Sequence, residues 1–527
     1  MIDTEQTVVQ TAEARWGQLE ADASQFVKRG ARCATLTIPT LFRENSNSSG
    51  EDIKDPVQSI GARGVNNISS KLVLSLFPMN TSFFKLNVDE LALAVGEQDD
   101  AQMTEIETGL GTVERTTLKD IESSGDITGL FEALKHLVVV GNVLIYAGKA
   151  GLRIYDLHKY RVVRSPEGQV LEIVIKEAVA PASLPADTLA KIRAASPNEQ
   201  GPAHNDKNLT VYTHVKLVGD KHEWFQECSG RRIEGSEGTS AEETSPWIAL
   251  RFLRVDGEAY GRSYVEMYLG DLNTLETLST AIRDGSAAAA KVLFLVRPNG
   301  TTNMKVLAEA ENLSVRSGDA NDVTVLQMNK AADFGVAKQL ADGIEARLSY
   351  AFMMNASVMR DAERVTAEEV RYVAQELDDG LGGIYSLLSK DLQLPYVRRR
   401  LHLTRQRHNL PKLPDIVSPA IVTGFAALGR GHDRDKLMRF VKAIVDMVGP
   451  ELMMKIVNVR EIIMRIAVSD GIDTKGLIIP EQVAAQGAEQ EQGQALMEKL
   501  GPEVIRQMGN AALQQETPQP TQGAVNG

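Results

Sequence analysis

Cysteine is scarce in this sequence of 527 residues, which contains two, Cys33 and Cys228. Two cysteines cannot form a disulfide framework, and a chain of this length can bury enough apolar surface to fold without one. We therefore expect two free thiols in a reducing compartment. A single Cys33–Cys228 bridge is the less favoured alternative.

Long hydrophobic runs are missing as well. The most apolar stretches cover residues 137–148 and 287–296. Both are shorter than the roughly 20 residues that a membrane-spanning helix needs. The first residues are polar and lack the basic start and apolar stretch of a signal peptide. The sequence therefore predicts a cytoplasmic protein without a membrane partner.

Basic residues are outnumbered, with 57 Lys and Arg against 70 Asp and Glu and a formal net charge of −13. This balance argues against a protein that coats nucleic acid, which would be basic overall. One basic segment stands out between Asp391 and Asp415, where no acidic residue occurs. It attracts phosphate or, as the favoured alternative, pairs with acidic groups of a neighbouring element or subunit. Its candidate residues are Arg398, Arg399, Arg400, Arg405 and Arg407.

The motifs of common enzyme classes are absent from the sequence. It has no P-loop, no H-E-x-x-H, no cysteine pair at zinc spacing and no G-x-S-x-G elbow. The glycine-rich string GLGGIY at 380–385 lies within a helical pattern, so dinucleotide binding is disfavoured. We therefore expect no catalytic residue, no metal and no cofactor.

The hydrophobic pattern predicts an α+β fold that is mainly helical. Short β-branched and aromatic runs indicate an antiparallel β region over 141–255. We expect Ala337, Leu340, Ile344, Leu348 and Phe352 to share one helix face, and a further helix to stop at Leu394-Pro395. Helices are predicted near 4–37, 57–77, 99–122, 128–140, 263–296, 333–354, 366–392, 433–448 and 451–468.

Several long strings resemble portal proteins, the head-to-tail connectors of short-tailed phages. They include GARGVNNISSKLVLSLFPMN at 61–80, FEALKHLVVVGNVLIY at 131–146 and RVDGEAYGRSYVEMYLGDLNTLE at 254–276. A fourth begins QMNKAADFGVAKQLADGIEARLSYAFMMNASVMRDAER at 327. The resemblance covers roughly residues 10–480 and weakens in the tail and in the polar loops near 43–56 and 195–207.

The resemblance implies a ring, of twelve subunits in the family, around a channel that passes double-stranded DNA irrespective of sequence. The implied partners are the terminase large subunit, tail adaptor and tubular tail proteins, scaffold and major capsid proteins, and internal core proteins. The implied location is the portal vertex of the virion, after assembly in the host cytoplasm. Two alternatives stay open: a structural capsid or scaffold component without a channel, and a nuclease or protease acting in packaging.

The resemblance also divides the subunit into the parts of the portal fold. These are a wing (1–261), a first stem helix (262–296), a clip (297–331), a second stem helix (332–354), a tunnel loop (355–365), a wing- and crown-connecting helix with the basic segment (366–420), a crown (421–480) and a partly disordered tail (481–527).

This division suggests positions for site residues. Arg360 and Arg364 fall in the tunnel loop, where they would face DNA, and Lys291 and Lys338 on the stem helices would line the channel. An ordinary polar turn is the alternative to a terminase or tail contact in the clip. The clip candidates are Arg297, Asn299, Asn303 and Lys305.

Overall fold

The fold is that of a computed structural model, which divides the chain into two compact units, Met1–Leu428 and Gly429–Gly527. Every element described below belongs to the first unit. In the second unit, helical positions are described at 439–444 and 446–447. The described residues are 11–44, 53–78, 82–88, 100–185, 208–289, 293–311, 314–326, 331–354, 383–410 and 417–421, with scattered positions at 187–190, 377–381 and 439–462.

Among the described residues up to 140, the structure has four helices and a short strand. Thr11 caps the first helix because its hydroxyl accepts a hydrogen bond from the Ala14 amide at 3.2 Å. Gly125 and Gly141 flank the fourth helix in the left-handed conformation that glycine adopts readily. The elements are α1 (Ala12–Thr35), α2 (Ile60–Leu76), β1 (Phe84–Val88), α3 (Asp100–Ser123) and α4 (Asp126–Val140).

The predicted β region forms two antiparallel sheets. The smaller sheet has the order β10-β2-β3, and the larger has β4-β5-β6-β7-β8, with β9 also paired to β7. The strands are β2 (Asn142–Gly148), β3 (Gly151–Tyr155), β4 (Tyr160–Arg164), β5 (Val170–Val179), β6 (Leu209–Val218), β7 (Lys221–Cys228), β8 (Arg231–Arg232), β9 (Gly238–Ala241) and β10 (Trp247–Arg251).

Two long helices and a small two-stranded ribbon follow the sheets. They comprise α5 (Tyr264–Met267), α6 (Leu269–Ala289), β11 (Leu293–Val296), α7 (Met304–Ala308), β12 (Val323–Leu326) and α8 (Ala331–Ala351). The helix predicted over 262–296 therefore ends earlier than expected. Its apolar end forms β11, which pairs antiparallel with β12 and so satisfies its backbone across the ribbon.

The last elements of the first unit are α9 (Ile384–Leu388), a π-helical turn (Ser389–Gln393), α10 (Leu394–His408) and β13 (Val417–Ile421), which pairs with β1. The prediction that a helix stops at Leu394-Pro395 was wrong. Pro395 lies in the first turn of α10, where the missing amide proton of proline costs no helical hydrogen bond. The Gln393 side chain donates to the Leu76 carbonyl and ties this turn to α2.

One main core joins these elements. α2 and α4 bury an almost continuous apolar surface that includes Ile68, Leu72, Leu134 and Leu137. A separate small cluster holds the first half of α1 on the larger sheet, where Trp16 packs among apolar side chains that include Tyr212. None of the described helices is long and apolar enough to cross a membrane.

Candidate assembly surface and DNA-facing residues

The helices α6 and α8 pack against each other in antiparallel directions, and we call them the helix pair. Near one end, Phe334 lies against Gly285, where an added Cβ would meet its ring at 2.4 Å. Near the other end, Arg347 Nη2 donates to Asp271 Oδ1 at 3.1 Å. These two contacts fix the antiparallel register of the pair, that is, which residues of α6 and α8 lie at the same position (height) along the helix axes.

Each helix of the pair buries one narrow stripe. On α6 the buried residues are Leu272 and Leu275, and on α8 they are Ala341, Ile344 and Leu348. Leu340, predicted to share one helix face with Ile344 and Leu348, is 55% exposed. It lies beside the buried stripe because four residues of an α-helix advance slightly more than one turn.

Large apolar side chains are exposed on α8 and on residues 293–326 between the two helices, which we call the tip. Single exposed apolar residues are ordinary, whereas a contiguous exposed patch marks an interaction surface, which makes this set a candidate for one. Sequence periodicity missed this set because it identifies a helix face without saying what covers it. The exposed set comprises one residue of α5, five of the tip and three of α8: Met267; Leu295, Met304, Val306, Leu307 and Val315; and Val336, Leu340 and Tyr350.

The predicted clip residues lie in the exposed part of the tip. Arg297, Asn299, Asn303 and Lys305 are all exposed. The Asn303 side chain accepts a hydrogen bond from the Lys305 amide at 3.0 Å and caps α7, so part of its role is structural. The other three side chains are presented to solvent in a form that a partner could contact.

A buried carboxylate organises the tip. Asp322 Oδ2 accepts hydrogen bonds from the Thr301 amide at 2.7 Å and the Thr302 amide at 3.2 Å. Burial alone would raise the pKa of Asp322, but these amides and the two threonine hydroxyls outweigh burial and lower it. The carboxylate therefore holds the 300–302 turn in place while it is ionised.

The residues predicted to face DNA are only partly described. Lys338 is exposed on α8, on the same side as Asp342 and Glu345, which are also exposed. Lys291, Arg360 and Arg364 lie outside the described residues. Together α6 and α8 carry six acidic side chains, Asp271, Glu276, Asp284, Asp333, Asp342 and Glu345, against three basic ones, Arg283, Lys338 and Arg347.

The basic segment forms much of α10, and its arginines bind groups of the same chain. Arg400 pairs with Asp126, whose Oδ2 also accepts a hydrogen bond from Tyr396 at 2.6 Å. Arg399 Nε donates to the Ala147 carbonyl at 3.0 Å, and its Nη1 donates to the Thr244 carbonyl at 3.2 Å. Burial lowers the pKa of Arg400 to about 10.

The remaining arginines of this segment lie nearer the surface. Arg398 Nη1 lies 3.7 Å from Glu243 Oε1, and Arg407 Nη1 lies 3.4 Å from Asp120 Oδ1. Arg405 is half-buried on the same helix. Burial would raise the pKa of Asp120, but hydrogen bonds from Thr404 and His408 and the charge of Arg407 lower it. The ion pairs and hydrogen bonds of these arginines thus attach α10 to the α3–α4 junction and to the smaller sheet.

No group of three or more His, Cys, Asp or Glu side chains that could hold a metal ion occurs among the described residues. Cys33 and Cys228 are both free and buried. Burial raises the pKa of the Cys33 thiol to about 11. It is therefore protonated at neutral pH and has little nucleophilic character.

Comparison with known proteins identifies the family. The family model described as bacteriophage head to tail connecting protein matches residues 9–478. The portal protein of Escherichia phage T7 is 42% identical over 496 residues, covering 92% of this chain and 91% of that protein. The portal protein of Enterobacteria phage T3 is 41% identical over 533 residues, covering 98% of this chain and 96% of that protein.

A solved chain from the neck of an empty gene transfer agent particle covers 73% of this chain and 86% of that chain. The two chains are 13% identical, with a TM-score of 0.36. The family model and the two phage relatives, which extend over nearly the full length, are decisive. The chain therefore belongs to the bacteriophage head-to-tail connecting protein family, the portal proteins that join phage head and tail.

Proposed function

We propose that copies of this chain close into a ring, of twelve subunits in the virion, around a channel that conducts double-stranded DNA during packaging and ejection. The observation that carries this proposal is the exposed apolar surface of the helix pair and tip in a chain of the connector family. A single copy would leave this surface in water. Repeated contacts between unlike faces of identical copies would bury it, and they close a ring when the rotation between copies divides a full turn.

The charge of the helix pair supports a conduit that does not hold its DNA. Each neutralised phosphate adds affinity and retention that depend on salt. Because α6 and α8 carry six acidic side chains against three basic ones, few phosphates would be neutralised along the helix pair. DNA would slide past mainly acidic walls and meet a few basic positions repeated by symmetry, such as Lys338, through backbone contacts alone.

We further propose the partners that such a ring requires. At the portal vertex, the tip of each subunit would first dock the terminase large subunit and later the tail adaptor and tubular tail proteins. The opposite end would meet scaffold, major capsid and internal core proteins during assembly in the host cytoplasm. In this scheme the terminase motor supplies the hydrolytic chemistry, and the ring itself is not an enzyme.

Electron microscopy of the purified full-length chain tests the proposal. We expect closed rings with a central hole wide enough for a DNA duplex. A monomer, or an assembly without a hole, would refute the conduit and favour a structural capsid or scaffold component. Metal-dependent cleavage of plasmid DNA by the purified chain would instead support a packaging nuclease.

The tunnel-loop proposal has its own test. Replacing both Arg360 and Arg364 by alanine should leave ring assembly intact and reduce the DNA packaged per head, because two positive charges per subunit are lost from the channel. The matched control replaces Arg231 and Arg232, both exposed on β8, by alanine. Equal DNA content in both double variants would remove the functional role of Arg360 and Arg364.

A further inference from the structure

Tyr350 is an exposed aromatic side chain near the C-terminal end of α8. It is 77% exposed and shares a side of the helix with Val336 (69%) and Leu340 (55%). The neighbouring stripe of Ile344 and Leu348 is buried in the core. Tyrosine combines a large apolar ring with one polar end, and for this reason it is favoured as an interface residue.

A pocket of about 330 Å³ opens between the C-terminal end of α1 and the start of α6. Gly270 and Asn273 on its wall are exposed, on the side of α6 away from the buried Leu272 and Leu275. A Cβ added at Gly270 would meet nothing within 4 Å. Since a cavity of about 150 Å³ holds a benzene ring, this pocket has room for a tyrosine side chain. Its lining is Arg32, Thr35, Leu36, Leu269, Gly270 and Asn273.

The pocket and Tyr350 lie at the same height along the helix pair. Phe334 is level with Gly285, and Arg347 is level with Asp271. Continuing this antiparallel register by one more turn brings residue 350 level with the Leu269–Gly270 wall of the pocket. In a ring whose axis runs parallel to the helix pair, every copy has its residues at the same height, and Tyr350 of one copy would then reach the level of its neighbour's pocket.

We propose that Tyr350 of each subunit inserts into the α1–α6 pocket of the next subunit. This inference rests on the proposed ring and names the contact that builds it. The ring of Tyr350 would pack on Leu36 and Leu269, and the exposed guanidinium of Arg32 lies at the rim, where it can stack on the aromatic face. The knob and the hole are different surfaces of one chain, so the contact repeats head-to-tail and closes a ring when the rotation between copies divides a full turn.

The same register extends the interface beyond the pocket. Leu340 comes level with residues 278–279, and Val336 comes level with residues 282–283. Thr277 and Ala281, within two residues of these levels, are exposed on the outer side of α6. The Thr277 hydroxyl is bonded to the Asn273 carbonyl at 2.9 Å. An apolar stripe on α8 would thus meet a face of small side chains on the neighbour's α6.

Photo-cross-linking of the assembled full-length chain tests the contact directly. Tyr350 is replaced by p-benzoylphenylalanine, which preserves an aromatic side chain, and the irradiated protein is separated by mass. We expect covalent dimers and higher multimers, with the cross-link mapped to residues 32–36 or 269–273 of a second copy. Cross-links confined to one chain, or mapped to other segments of the neighbour, would overturn the proposal.

Two substitutions test the same contact without a probe. Tyr350→Ala removes the knob and Gly270→Leu fills the hole, and each should raise the concentration needed for ring formation by at least about tenfold. Gly17→Leu is the matched control, because Gly17 is also an exposed helical glycine with nothing within 4 Å of an added Cβ. Circular dichroism of each variant verifies that the subunit is folded.

The outcomes separate this contact from the ring itself. If both variants form rings at the concentration of the parent chain, the Tyr350 contact is refuted while the conduit proposal stands. If the parent chain forms no ring under any condition, the conduit proposal fails first. Loss of assembly in Gly17→Leu as well as in Gly270→Leu would attribute the effect to helix stability and overturn the pocket assignment.

Discussion

The surroundings of α10 and the helix pair differ in whether a single chain provides all the contacts of their side chains. Around α10, Arg400 is buried against Asp126, and Arg399 bonds two backbone carbonyls from the smaller sheet and the turn before it. In the helix pair and tip, nonpolar side chains such as Leu340 and Tyr350 remain exposed. The first region is satisfied within the subunit, and we propose that neighbouring copies complete the second.

This difference separates two kinds of evidence in the sequence. A run of arginines in an acidic chain suggests nucleic-acid binding, yet here most of the run stabilises the subunit. An exposed apolar stripe on an ordinary amphipathic helix attracts no attention in the sequence, yet here it carries the proposed assembly surface. Charge density alone is therefore a weak guide to the roles of residues in this chain.

The largest effect should come from the buried ion pair. Asp126→Asn leaves the Arg400 charge buried and poorly compensated, and we expect a loss of about 3–5 kcal/mol in the free energy of subunit unfolding. The matched control is Asp271→Asn, which removes the partner of the exposed Arg347 and should cost about 0–1 kcal/mol. Urea unfolding of both variants at one protein concentration measures the difference, and equal losses would contradict the contrast between the regions.

The next largest effect should come from substituting two leucines of α8, one buried and one exposed. Leu348 is fully buried, so Leu348→Ala should lower the free energy of subunit unfolding by about 2–5 kcal/mol. Leu340 is 55% exposed, so Leu340→Ala should change subunit stability by less than about 0.5 kcal/mol but weaken ring assembly. Urea unfolding and analytical ultracentrifugation distinguish the two losses. A stable ring from Leu340→Ala would remove this residue from the interface.

The smallest effect concerns the tip and its dependence on pH. Because the folded-state pKa of Asp322 is lowered, its contribution is present above the ordinary carboxyl pKa of about 3.9 and is lost as pH falls through the lowered value. A spin label on Asn299→Cys should therefore become more mobile in strong acid. With Asp322→Asn added, the mobility should no longer respond to this titration; an unchanged response would assign it to another group.

Much of the fold could be predicted from local pattern. Helices α3 and α4 follow from apolar periodicity, and the antiparallel β region follows from short β-branched and aromatic runs. The structure places them within a few residues of the predicted 99–122, 128–140 and 141–255. The errors lie where local signals conflict with context. The end of the predicted first stem helix forms β11 because β12 is available to pair with it.

The candidate site was harder to predict because its contacts are distant in sequence. Asp126 and Arg400 are 274 positions apart, so no local spacing could reveal the pair. The exposure of Leu340 was equally hidden, because the same periodicity describes a core stripe and an interface stripe. The long strings that resemble portal proteins identified the family, whereas the contacts within the subunit could be found only from the structure.

The central claim is that neighbouring copies complete the helix pair. An electron cryomicroscopy map of the assembled full-length chain tests it most directly. The account predicts a closed ring with a central hole, in which Val336, Leu340 and Tyr350 are buried against the α6 face of the adjacent copy. A ring that leaves these three side chains in solvent would contradict the account.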